Sequence, residues 1–381
     1  MTEYLGGCSR PSGLRPTCRA EVRVERKRAM NSYRFAAIRG VQASRAYYVI
    51  MVPLRSVGRL FCFDEEELPP ELRAQRELNK GRVPTIAQYI ADHPREYVLS
   101  ALAASIDGAF RFEPSGTDST SRSIGILVVD MTATILINDG QHRRAGIVEA
   151  LRERPYLGDE TIAVTIFPDE GLERSQQMFV DLNQHSVKPA RSLRLFYDSR
   201  DQGARLTRAV ADAIPLLRDL TDFTRSNLPA GSRKLFAFSN LHTAVATLVS
   251  EAGLNATPER ADAVIEFWNA VIANMPDWLA VARREASPAE LRRDTIHAHG
   301  VALEAIAIAG ARAMNNNPNG WPEMLAGLRD VDWSRANRAL WEGRALIGGK
   351  INRSRTSVVL TAELISRSLV QEETDGARQI G

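Results

Sequence analysis

Leu136 to Val148 reads Leu-Ile-Asn-Asp-Gly-Gln-His-Arg-Arg-Ala-Gly-Ile-Val. An apolar run from Ala133 to Ile137 meets Asn138-Asp139-Gly140, and two arginines then open an amphipathic segment. Ile147, Val148 and Leu151 follow at i, i+1 and i+4, which is helical spacing. The reading is a buried strand, a tight glycine turn and the start of a helix. That geometry offers backbone N–H groups and the positive end of a helix dipole to an anion. The candidate site is Asp139, Gly140, Gln141, His142, Arg143 and Arg144, in which the imidazole and guanidinium donors match phosphate oxygens. A nucleotide or nucleic-acid phosphate is the expected occupant. The same residues would also suit a plain left-handed turn with a capping Asp and a solvated arginine pair.

Asp139 to Arg143 resembles the signature of the DGQHR-domain proteins. Four further blocks, Tyr47 to Arg55 (YYVIMVPLR), Arg73 to Tyr89 (RAQRELNKGRVPTIAQY), Met178 to Leu193 (MFVDLNQHSVKPARSL) and Arg353 to Glu363 (RSRTSVVLTAE), are similar to the DndB family of DNA sulfur modification proteins. In chain order these blocks span nearly the whole sequence. The resemblance implies a DNA-binding regulator of bacterial DNA phosphorothioation, acting on its own operon promoter rather than transferring sulfur. The turn is also similar to the phosphate-binding turn of the ParB/sulfiredoxin superfamily. That shorter likeness implies a ParB/sulfiredoxin-like fold and an alternative function, a nucleotide switch or NTPase. Such an enzyme would bind and hydrolyse ATP or CTP with Mg²⁺, and Asp139 is the one carboxylate obviously placed to help.

Other cations are candidates for DNA. Arg73, Arg76 and Lys80 recur at i, i+3 and i+7 and so share one helical face, with Arg82 just beyond. Glu71 and Glu77 would partly neutralise that stripe. The polar cluster Asp181 to Pro189 follows an amphipathic stretch, and its Asn183, His185 and Lys188 are placed around the same ligand as His142. Asn183 would equally serve as a helix C-cap. Gly348-Gly349-Lys350 superficially matches a phosphate loop, but Arg344 stands where a Walker A glycine belongs and Ile351 replaces the Ser or Thr. It reads instead as a basic loop with Lys350, Arg353 and Arg355, capped by Ser354 or Thr356 ahead of a last helix.

Bulk properties narrow the field. Lys and Arg total 49 against 46 Asp and Glu, a net charge of +3 over 381 residues, so any DNA surface must be local. Arginine carries most of the positive charge. Cys8, Cys18 and Cys62 are too few for a disulfide framework, which favours a cytoplasmic protein. No metal site is expected, because His297 and His299 fall two apart on an expected helix and point to different faces. Asp64 to Glu67 is a solvated acidic run, and no Gly-x-Ser-x-Gly elbow occurs. No stretch is apolar for long enough to cross a membrane.

The expected organisation has three parts. Residues 1–33 form a basic arm or start-site extension, and 34–200 an α+β (or α/β) DGQHR domain. Residues 201–381 form a mostly α-helical domain. In the first domain, Tyr47–Leu54, Arg59–Phe63, Ile124–Val129, Ala133–Ile137 and Thr161–Phe167 read as strands. The pair at 124–137 is expected to form a hairpin through Asp130-Met131-Thr132. Helices are expected near 69–79, 84–91, 141–153 and 172–183. The second domain shows helical periodicity at 204–220, 239–251, 258–274, 288–313 and 358–369, with shorter 325–328. Helices 239–251 and 358–369 are candidates to read bases. A pseudo-palindromic site would imply a homo-oligomer on double-stranded DNA.

Overall fold

The computed structural model describes residues 32–61, 81–168, 171, 174, 177, 178, 180–182 and 189–369. The chain divides into two compact units after Val187. The Arg73–Lys80 stripe, Asn183, His185, Lys188, the three cysteines and residues 1–31 of the expected N-terminal arm lie outside the described residues, while Ser32 and Tyr33, expected in that arm, belong to a strand.

The first unit is a seven-stranded sheet with helices on its inner face. Its strands are β1 (Ser32–Gln42), β2 (Arg45–Pro53), β3 (Leu102–Asp107), β4 (Phe110–Pro114), β5 (Ile124–Asp130), β6 (Thr134–Asp139) and β7 (Thr161–Pro168). They run in the order β4-β5-β1-β2-β7-β3-β6, and only the β3–β7 pairing is parallel. Period-2 alternation places Tyr48, Ile50 and Val52 of β2 beside Ile166, Val164 and Ile162 of β7 on one face. Helices α1 (Leu54–Leu60), α2 (Arg82–Asp92) and α3 (Gln141–Glu153) complete that core with Leu54, Val57, Ile90, Ile147 and Ala150.

Two expectations for this unit are corrected. The Arg59–Phe63 segment is no strand as far as it is described: Leu54 to Leu60 is helical, and Leu54, Val57 and Phe61 are buried at spacings of three and four. Nor do β5 and β6 pair with each other, because β5 lies between β4 and β1 whereas β6 lies beside β3. Segments 102–114 and 124–139 form one long hairpin that bends in its middle. Its two halves supply the two ends of the sheet, which therefore curls back on itself. The hydrogen bond Asp130 N to Ala109 O (3.0 Å) carries the ladder through the bend. Residues 130–133 show a turn bond from Ala133 N to Asp130 O (3.0 Å), so a bend in a longer hairpin looks locally like a hairpin tip.

The second unit is helical: α4 (Arg191–Tyr197), α5 (Gln202–Ala213), α6 (Pro215–Leu220), α7 (Phe238–Glu251), α8 (Asp262–Ala273), α9 (Pro276–Ala282), α10 (Pro288–Asp294), α11 (Gly300–Asn316), α12 (Trp321–Met324), α13 (Arg338–Trp341) and α14 (Arg355–Leu369). Helix α11 is small and apolar on nearly every side, the pattern of a helix buried all round. It runs between α7 and α14. All 5 tryptophans of the chain lie in this core. Two minimal strand pairs interrupt the helices, Thr221–Asp222 with Phe236–Ala237 and Leu346–Ile347 with Lys350–Ile351.

The single helix expected over 288–313 is two helices broken at 295–299. There Ile296 N donates to Trp333 O (2.9 Å), and Thr295 bridges Ser334. His297 is fully buried, accepting from Trp278 Nε1 at Nδ1 (3.0 Å) and donating from Nε2 to Asp277 Oδ2 (2.9 Å). Bonds to other elements outweigh local helix propensity here, and His297 and His299 do not share a helix after all. His299 Nε2 binds the Arg292 carbonyl oxygen instead (2.7 Å).

Candidate functional site

The strand–turn–helix reading of 133–153 holds: β6 ends at Asp139, Gly140 turns the chain and α3 starts at Gln141. Gly140 has φ of 102°, in the left-handed region that a side chain disfavours. A Cβ there would also lie 2.5 Å from Leu102 Cδ2. Two observations mark the turn as a junction. The β3–β6 register shifts between Ala103 and Ala104, opposite the end of β6, and bulges re-aim side chains in this way. Asn138, wholly buried at that point, donates to Ser105 Oγ and approaches Met178 Sδ (3.2 Å), while its Oδ1 has no partner among the described residues.

The two arginines have protein partners. Arg143 pairs with Asp139 and donates through Nη1 to the Ser100 carbonyl oxygen (2.8 Å), Ser100 Oγ and the Ala101 carbonyl oxygen. It thereby ties the end of β6 to the chain leading into β3. Arg144 donates from Nε to Phe61 O and from Nη2 to Gly58 O, both 2.9 Å. Those carbonyls belong to the end of α1, where a helix leaves acceptors unsatisfied and favours positive charge. The guanidiniums are thus neither solvated nor held out to a ligand. An anion at the head of α3 would have to draw Arg143 away from Asp139, Ser100 or Ala101. Gln141 is buried and His142 half-buried at the same turn.

The remaining cations divide. Arg353 faces inward, donating to Glu304 Oε2 (3.0 and 2.8 Å) and Asn240 Oδ1 (2.7 Å). Arg82, Lys350 and Arg355 are exposed, and among the described residues none has an ion pair or side-chain hydrogen bond. Lys350 follows the hairpin turn Gly348-Gly349, whose φ values of 57° and 72° suit only glycine well. The two turn N–H groups bind the Glu342 carboxylate, so this phosphate-loop lookalike already holds an anion of its own. Ser354 caps α14, accepting from Ser357 N (3.1 Å).

Some structurally decisive groups carry no signal in the sequence. Arg292 is buried and donates to four backbone carbonyls, those of Pro229, Ala230, Ser232 and Lys234. Nothing in Leu291-Arg292-Arg293 distinguishes it from its exposed neighbour. Among the described residues no cluster of three His, Cys, Asp or Glu could hold a metal, and no helix is long and apolar enough to cross a membrane.

No curated protein and no solved structure matches the chain. A family model does, over residues 35–371, described as DndB: DNA-sulfur modification-associated. That match covers both structural units and nearly the whole sequence, so this chain belongs to the DndB family of DNA sulfur modification-associated proteins.

Proposed function

We propose that this protein is a DNA-binding regulator of the phosphorothioation system, acting as a cytoplasmic homo-oligomer on the promoter of its own operon. The observation that carries the reading is the family match over 35–371, which assigns both units to DNA sulfur modification. The exposed, unpaired Arg82, Lys350 and Arg355 are its phosphate contacts among the described residues. Arg73, Arg76 and Lys80 are proposed alongside them. Phosphate contacts set register and leave sequence discrimination to other side chains, for which α7 and α14 are the candidates.

A second reading rests on the head of α3, a 13-residue helix whose N-cap makes no side-chain hydrogen bond. There Asp139 to Arg144, with Asn183, His185 and Lys188, would hold the phosphate of ATP or CTP on a ParB/sulfiredoxin-like first unit. Fluorescence anisotropy with the native promoter fragment and a scrambled fragment, with and without each nucleotide, separates the two. The regulator reading expects strong preference for the promoter without nucleotide. Equal affinity for both fragments contradicts it, and binding that appears only with nucleotide moves the reading to the turn.

A further inference from the structure

A groove of about 880 Å³ opens in the helical unit between α6, the end of α8 and α9. Its volume falls in the range of roughly 300–1,000 Å³ typical of small-molecule sites. Ile214, Leu216, Leu220, Ile272, Leu279 and Val281 make its walls apolar. Two guanidiniums, Arg233 and Arg284, join that lining, and among the described residues neither has an ion pair or a side-chain hydrogen bond. Asp219, also in the lining, is paired with Arg218 at 3.4 Å.

Both arginines are held by the fold. Arg233 sits in the loop whose four carbonyls Arg292 binds, so a buried guanidinium fixes the segment that presents an exposed one. Arg284 follows α9 with φ of 63°, at the left-handed position where helices normally place glycine. The helix end is closed around it by Arg284 N to Val281 O (3.0 Å) and Glu285 N to Ala280 O (2.8 Å). A long charged residue at a strained position beside an apolar groove suggests a role other than folding.

We propose that this groove is a binding site for a small amphipathic anion, an apolar chain or ring carrying one carboxylate or sulfonate. The apolar body lies against Ile272, Leu279 and Val281, and the anionic head pairs with Arg233 and Arg284. Charge complementarity selects this occupant: an uncharged apolar ligand would leave two guanidiniums unanswered, and a bare phosphate would leave the walls wet. The site is independent of the DNA reading, and its test contains no DNA.

The probe is 8-anilinonaphthalene-1-sulfonate, titrated by fluorescence on the full chain and displaced with decanoate, decanol or inorganic phosphate. The expected result is one saturable site per chain, displaced by decanoate and not by decanol or phosphate. Arg233→Ala with Arg284→Gly should weaken it at least tenfold. Arg284→Gly alone should raise Tm by about 2 °C while weakening the probe, because it relieves strain and removes a head contact. Ala282→Trp, at an exposed position in the lining, should block the groove without unfolding the unit. Binding that is unsaturable, equally displaced by decanol, or unchanged in the Arg233/Arg284 and Ala282 variants overturns the proposal.

Discussion

The turn at Asp139–Arg144 and the loop at Pro229–Lys234 solve one problem with the same chemistry. In each, a guanidinium binds backbone carbonyls that secondary structure leaves unsatisfied. In the sheet unit both arginines of the motif are engaged in this way, by Ser100 and Ala101 and by Gly58 and Phe61. In the helical unit Arg292 is engaged while Arg233, in the loop it holds, stays outside without a partner among the described residues. The first arrangement makes a junction, and the second makes a rigid platform for an exposed charge. Arg143, Arg144 and Arg292 are therefore internal cross-links. Positive charge for ligands is found where the fold leaves it over.

The largest test of that comparison is Arg292→Met. It removes the guanidinium donor from four carbonyls, of which Pro229 O keeps its turn bond from Ser232 N (3.0 Å), and about 3–5 kcal/mol of destabilisation is expected from losing several charged hydrogen bonds at a buried site. Because every tryptophan lies in the helical unit, the loss should appear in the tryptophan-fluorescence denaturation curve. Arg144→Met should cost about 2–3 kcal/mol through two charged hydrogen bonds at the end of α1. That loss belongs to a unit without tryptophan among its residues, so far-UV circular dichroism should register it while the tryptophan transition stays put. Identical shifts in both probes for both variants would break the comparison.

Gly140→Ala combines a left-handed backbone with contact against Leu102, and about 2 kcal/mol is expected, read as a lower denaturation midpoint. Smaller still is a pH effect. Burial pushes the imidazoles of His242, His297 and His299 below their ordinary value of 6.5. Between those lowered values and 6.5 the unfolded chain binds more protons, so stability falls as pH drops through that window. Protonated Nδ1 of His297 would also face the Trp278 N–H donor. His297→Gln can keep both hydrogen bonds without titrating, and it should flatten the dependence of Tm on pH below 6.5. An unchanged slope would remove His297 from the account.

The motif strand, its glycine turn and α3 were legible because period-2 and helical spacing change over at Asn138-Asp139-Gly140. The helical periodicity of 204–220, 239–251 and 358–369 was legible for the same reason. Partnership was not. Arg143 and Arg353 read as ligand-facing cations, but their partners Ser100, Glu304 and Asn240 are distant in sequence, and spacing carries no trace of them. Strands β1, β3 and β4 were also missed. Ala103 and Ala104 offer little β propensity, and β3 exists because β6 and β7 pair with it on either side. The break at 295–299 is set by Trp278, Trp333 and Ser334, again through tertiary contacts.

The most direct measurement is promoter binding by fluorescence anisotropy across a salt series, for wild type, Lys350→Ala/Arg355→Ala and Arg143→Lys. The double variant should keep its stability within about 0.5 kcal/mol, since both side chains are exposed and unpaired. Its binding should weaken, and the slope of log K against log salt should fall by about 1 for each lost phosphate contact. Arg143→Lys, which keeps the charge and loses the fork that binds Ser100 and Ala101, should lower stability and leave the slope alone. A slope untouched by the double variant but reduced by Arg143→Lys would place the phosphate contact at the turn and contradict the account.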